Sequence, residues 1–82
     1  MWYRYHMSKT EKILQQMKNS PQGDWQIDTL KAIAKRHNIE WRHPGSSHVT
    51  FRRKDGAKLT VPAHRPIKPI YIKQFVKLVE GG

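Results

Sequence analysis

The sequence predicts an α+β fold in which two helices, three antiparallel strands and a last helix follow in order, with the helices on one face of the sheet. Three observations predict it. Apolar residues recur at helical spacing in two segments before residue 38 and in one after residue 68. Between them, "HVTFR" and "AKLTV" alternate apolar and polar residues around "KDG", the pattern of a half-buried hairpin. Clusters of Pro, Gly, Asn and Ser separate the periodic segments. At 82 residues the chain is one domain burying about 60 to 65% of the surface its unfolded form exposes. It contains no cysteine, so apolar packing alone must hold it.

Each element has its own signal. Ser8 and Glu11 have the S-x-x-E spacing of a capping box, and Ile13, Leu14 and Met17 follow, which predicts a helix over about 9 to 18. "NSPQGD" at 19 to 24 ends it. Asp24 is placed to cap a second helix, in which Ile27, Leu30, Ile33 and Ala34 form an apolar stripe and Lys31, Lys35 and Arg36 lie outside it. That helix runs to about His37, and Asn38 suits a left-handed residue after it. Ile39 and Trp41 then alternate with Glu40 and Arg42 as a first strand, interrupted by "HPGSS". Residues 1 to 6 carry no element, with Met7 a candidate natural start. The chain therefore reads as an N-terminal extension over 1–23 and a main unit over 24–82.

The hairpin register follows from matching faces. A two-residue Asp55-Gly56 turn would set Phe51 opposite Thr60 and mix polar with apolar. A three-residue Lys54-Asp55-Gly56 loop, with Gly56 left-handed, sets Val49 opposite Val61, Phe51 opposite Leu59, Thr50 opposite Thr60 and Arg52 opposite Lys58. One face is then apolar and covers the core; the other carries His48, Thr50, Arg52, Lys58 and Thr60. The prolines of "PAHRPIKP" make it an extended loop that exposes His64, Arg65 and Lys68. Pro69 suits the first turn of the last helix and Gly81 its end, with Tyr71, Ile72, Phe75, Val76, Leu78 and Val79 facing the core. Trp41 and Phe51 fall in the core phase, while Trp25, at a helix start, has no assigned face. Without the first short helix, the order is the αβββα of double-stranded-RNA-binding domains.

The charge balance narrows the partners. Sixteen Lys and Arg stand against six Asp and Glu, a net +10, and such a field attracts polyanions. From Trp41 to Gly82 there are nine basic and two acidic residues; residues 1 to 40 hold seven and four. No apolar run approaches the roughly 20 residues of a membrane span, and "MWYRYHM" lacks the features of a secretory signal. With the absence of cysteine, this favours the cytoplasm and argues against a membrane partner.

The five histidines, at 6, 37, 43, 48 and 64, form no metal-ligand pattern, so neither a metal nor another cofactor is expected. Ser46 and Ser47 lie near His48, yet no carboxylate is placed to orient the imidazole, which disfavours a serine hydrolase. Cleavage of RNA asks for less, because the substrate supplies its own 2′-hydroxyl nucleophile. It needs a base titrating near neutrality and cations to hold charge on phosphorus-bound oxygens. A histidine, His48, with Arg52 and Lys58 on its face meets that description. Gly45, Ser46 and Ser47 before it allow a nucleic-acid backbone to approach closely. Periodicity and charge leave open whether His48 is a working base or a solvated strand residue, and whether the paired cations hold an anion or splay into water.

The stretch "GSSHVTFRRKDGAKLTVPAHRPIKPIYIKQFVKLV" resembles the HicA toxin family, small ribonucleases of toxin–antitoxin pairs. The resemblance covers about residues 25 to 80. It rests on an ordered set: Gly45-Ser46-Ser47-His48 opening a strand, Lys54-Asp55-Gly56 as a polar turn, Val61-Pro62, Ile67-Lys68-Pro69 in a basic loop, and the helix from Tyr71 to Val79. It implies a double-stranded-RNA-binding-domain-like fold, cleavage of messenger RNA that arrests translation, His48 as the catalytic histidine, and a HicB-type antitoxin as partner. Where many members carry a second histidine this chain has Ser47. Lys68 is a further candidate for RNA binding, and His64 for the complementary acid, set against an ordinary exposed loop histidine. Two other readings use the same features: a non-catalytic double-stranded-RNA-binding module, and an adaptor whose basic face meets an acidic protein.

Overall fold

Ser8 and Glu11 form the expected capping box: Ser8 Oγ accepts from the Glu11 N–H at 3.1 Å, and Glu11 Oε1 accepts from the Ser8 N–H at 2.9 Å. Bonds from the Ser8 backbone first, and its hydroxyl second, hold the Glu11 carboxyl below the usual carboxylate range. Helix α1 (Lys9–Asn19) follows in this computed structural model, which describes residues 8–43 and 47–81. The segment expected to lack structure at the start of the chain, and Pro44, Gly45 and Ser46 of the "HPGSS" segment, lie outside the described residues.

Helix α2 (Ile27–Arg36) begins later than its sequence signal, with Gln26 as N-cap and no side-chain cap bond, so Asp24 does not cap it. The reason is Trp25. Its indole Nε1–H donates to the Ser20 carbonyl at 2.9 Å, its N–H donates to Gly23 O at 2.9 Å, and its own carbonyl accepts from the Ile67 N–H at 2.9 Å. Those bonds engage Trp25 outside any helix, and Gln26 leaves it with extended angles (φ −113°, ψ 153°). Gly23 packs closely there: a Cβ would sit 3.2 Å from the indole nitrogen and 3.3 Å from the Ser20 carbonyl, so those neighbours would have to give by a few tenths of an ångström. Asn38, with φ 59°, then turns the chain out of α2.

The sheet is antiparallel in the order β1-β2-β3, with β1 at Glu40–Arg42, β2 at His48–Arg52 and β3 at Lys58–Pro62. Its hairpin register is the one the face-matching rule selects: Val49 opposite Val61, Thr50 opposite Thr60, Phe51 opposite Leu59 and Arg52 opposite Lys58. Arg53 donates to Ala57 at 2.8 Å to close the loop, Gly56 takes φ 98°, and Asp55 Oδ1 accepts from the Ala57 N–H at 3.1 Å. Pro62 belongs to β3 rather than to the loop after it. Bonded pairs fall at odd-numbered residues, from Arg53 with Ala57 to Ala63 with Ser47. Pro62, opposite His48, therefore occupies a pair that exchanges no backbone bonds, on an edge strand. The ladder also outlasts the proline, since Ala63 donates to the Ser47 carbonyl at 2.6 Å.

Helix α3 (Pro69–Glu80) starts on its proline and ends on Gly81, left-handed at φ 78°. Ile72, Phe75, Val76 and Leu78 bury its apolar face, and the Phe75 ring meets Phe51 edge-on with centroids 5.0 Å apart. Leu30, Ile33, Val49 and Val61 complete the middle of the core. Trp25, Trp41 and Leu59 pack against it at the margin. Helix α1 lies across α2 and α3, and its Met17 is fully buried in this same core. No described helix is long and apolar enough to cross a membrane.

Candidate functional site

With its apolar face under the helices, the sheet presents its other face outward, and the register arranges that face in rows. Glu40, Arg52 and Lys58 form one row across β1, β2 and β3. Arg42, Thr50 and Thr60 form the next, and His48 stands opposite Pro62 beyond it. Each ionisable member of these rows is exposed. Thr50 and Thr60 bring their hydroxyls to 3.2 Å, so the centre of the face is a hydroxyl pair between charged rows.

The rows decide what stands near His48. Arg52 shares its strand but lies four residues on, which at 3.3 Å per residue is about 13 Å away, and Lys58 is level with Arg52. The two cations thus share the histidine's face without adjoining it. Arg42 is closer, since its partner Thr50 is the next outward-facing residue of β2 after His48. Sequence reasoning put Arg42 on the polar side of the first strand but could not place it beside His48, because nothing in the pattern sets the register of the first strand against the second. Glu40, Trp41, Arg42, Thr50, Arg52 and Lys58 line a shallow open groove here.

Arg52 also has an acidic neighbour. Its Nη2 lies 3.4 Å from Glu40 Oε1, with the side chains 58% and 75% exposed, and a pair so solvated contributes at most about 1 kcal/mol. It orients Arg52 without removing it from use. At the end of β1, Lys31 Nζ lies 3.1 Å from His43 Nδ1 and links the strand to α2. An ammonium has no lone pair to accept with, so His43 is the acceptor in that contact.

Ser47 is exposed and holds β3 through its carbonyl. Lys68 belongs to a different element, as the exposed N-cap residue of α3. The loop before it is pinned at both ends: Ala63 is bonded to Ser47, and Ile67, almost fully buried, is bonded to Trp25. Within it, Arg65 reaches back to Asp24, with Nη2 to Oδ2 at 3.0 Å and Nε to Oδ1 at 3.3 Å. The bond from Arg65 holds the Asp24 carboxyl below its ordinary range, and Asp24 in turn raises Arg65. This pair joins residues 41 apart in sequence, so no local pattern announces it. His64 is exposed between the pinned ends.

Among the described residues, no group of three His, Cys, Asp or Glu side chains gathers to hold a metal ion. The arrangement is suited to lying against an extended polyanion: one outward face, several cations, hydroxyls between them, and an imidazole at one end. No protein-family model, curated protein or solved structure matches the chain.

Proposed function

We propose that this chain is a HicA-type toxin, a small endoribonuclease that cleaves messenger RNA in the cytoplasm and is neutralised by a HicB-type antitoxin. The observation that carries the reading is the position of His48, exposed at the end of a sheet face that also bears Arg42, Arg52 and Lys58. The ordered motifs from Gly45 to Val79 and the net charge of +10 support it independently. Three helices and a three-stranded antiparallel sheet are compatible with a double-stranded-RNA-binding-domain-like fold to which α1 is added.

In the proposed reaction His48 takes the proton of a 2′-hydroxyl, and the resulting oxygen attacks the adjacent phosphorus. The P–O5′ bond breaks, leaving a cyclic phosphate on one product and a 5′-hydroxyl on the other. An imidazole, with its intrinsic pKa of about 6.5, is suited to that proton transfer at neutral pH. Arg42, diagonal to His48 across β1 and β2, stands closer to it in the sheet register than Arg52 or Lys58 and holds a phosphate beside the histidine. Arg52, Lys58 and Lys68 hold neighbouring phosphates of the same strand, and the segment Gly45-Ser46-Ser47 lets that strand approach. The scheme needs no metal, because the nucleophile is the substrate's own hydroxyl.

The test is cleavage of a long single-stranded RNA in excess chelator by the protein and by a folded His48→Ala variant. Cleavage by the parent alone, with cyclic phosphate ends, is expected. Products ending only in 3′-hydroxyls would overturn the mechanism. RNA binding without cleavage by either protein would replace the toxin with a non-catalytic double-stranded-RNA-binding module.

A further inference from the structure

The bond from Ala63 to Ser47 carries the strand pairing one step past Pro62, and a second imidazole, His64, follows directly after it. Ala63 packs against the core, and His64, the residue after it, is exposed. His48 faces Pro62, so an extended course continued through Ala63 would make His64 its diagonal neighbour across the two segments. Such positions stand about 7 to 8 Å apart on one face, a separation that leaves room for one phosphodiester between two rings. The backbone that carries His64 is held on both sides, by Ala63 on Ser47 and by Arg65 on Asp24 with Ile67 on Trp25.

Resting on the ribonuclease reading, we infer that His64 is a second catalytic residue, the acid that delivers a proton to the leaving 5′-oxygen. His48 in its neutral form receives the 2′-hydroxyl proton while His64 in its cationic form donates to O5′ as the P–O5′ bond breaks. One proton enters the protein and one leaves it, so the charge of the pair is conserved through the step. Solvent exchange then resets both rings. Arg42, on β1 and paired with Thr50, flanks His48 on the side away from His64. Thr50 and Thr60, the hydroxyl pair beyond, are the neutral neighbours on β2 and β3.

The experiment compares the parent, His48→Ala and His64→Ala on two synthetic single-stranded RNAs under single-turnover conditions. One is ordinary RNA. The other carries sulfur in place of the bridging 5′-oxygen at the linkage the parent cuts most, and a thiolate leaves without being protonated. On ordinary RNA, His64→Ala is expected to lose about 10²- to 10⁴-fold in rate, the usual worth of a positioned acid or base. On the sulfur-bridged RNA it should recover to within about tenfold of the parent, whereas His48→Ala should not, because only the acid has become dispensable. Affinity for a 2′-O-methyl RNA, which lacks the nucleophile, should be unchanged by His64→Ala. An undiminished rate on ordinary RNA would overturn the role of His64 and leave the ribonuclease reading standing. Equal losses on both RNAs, or weakened binding, would make His64 a binding residue and overturn its role as acid. No cleavage of either RNA by the parent would overturn the ribonuclease reading and this inference together.

Discussion

Glu40 faces Arg52 across β1 and β2, its Oε1 3.4 Å from the guanidinium Nη2, in the row that continues to Lys58 on β3. An acid thus stands at the edge of a surface otherwise suited to phosphates. If RNA lies across this row, Glu40→Gln should tighten binding about two- to fivefold at low salt, with the gain fading as salt screens it. The measurement is anisotropy of labelled single-stranded RNA in a His48→Ala background. Unchanged affinity would place the RNA off this row. Stability should move by no more than about 0.5 kcal/mol, because the pair is exposed.

Gly56 turns the hairpin with φ 98°, and an added Cβ there would meet nothing within 4 Å. The cost of Gly56→Ala is therefore one of backbone conformation alone, and it should be about 1 to 2 kcal/mol. Urea unfolding of parent and variant reads it directly. A neutral result would mean that the loop relaxes to another turn type, and the Arg53–Ala57 closure would then be lost.

Met17 is fully buried where α1 meets the rest of the core. Met17→Ala should cost about 2 to 5 kcal/mol, the range for truncating a packed side chain. Ser8→Ala, which removes only the cap of the same helix, should cost about 1 kcal/mol. If the two losses were equal and small, α1 would be an appendage rather than part of the core.

The Asp24–Arg65 pair makes a pH prediction with a definite sign. Arg65 lowers the Asp24 pKa in the folded state, so the pair's contribution is fully present above the unfolded carboxylate pKa of about 3.9 and is lost as pH falls through the lower folded value. It gives no pH dependence near neutrality. Parent stability should therefore fall more steeply on acidification below about pH 4 than that of Asp24→Asn. Urea midpoints at neutral and acid pH measure the difference. Parallel curves would show that the pair is broken in solution.

Local rules account for most of the architecture. The capping box of Ser8 and Glu11, the left-handed Asn38, the Gly56 loop and the Pro69-to-Gly81 frame of α3 each depend on residues a few positions apart. Even the β2–β3 register follows from such a rule, because a one-residue slip would turn Val49, Phe51 and Val61 away from the core. Where a distant partner competes, the local signal loses. Asp24 is a good cap by type, but Trp25 is held by Ser20 and Ile67, and Asp24 pairs with Arg65 instead.

The same division applies to the candidate site. By itself the sequence determined that His48 lies on the polar face of a strand, with Arg52 and Lys58 on that face, because period-2 alternation is a property of one strand and its turn. Only the tertiary structure decided which groups stand next to the histidine. Arg42 arrives there through the pairing of β1 with β2, and the place proposed for His64 rests on one backbone bond past a proline. Both depend on how separate segments close onto each other in space, and no pattern of side chains along the chain encodes that closure.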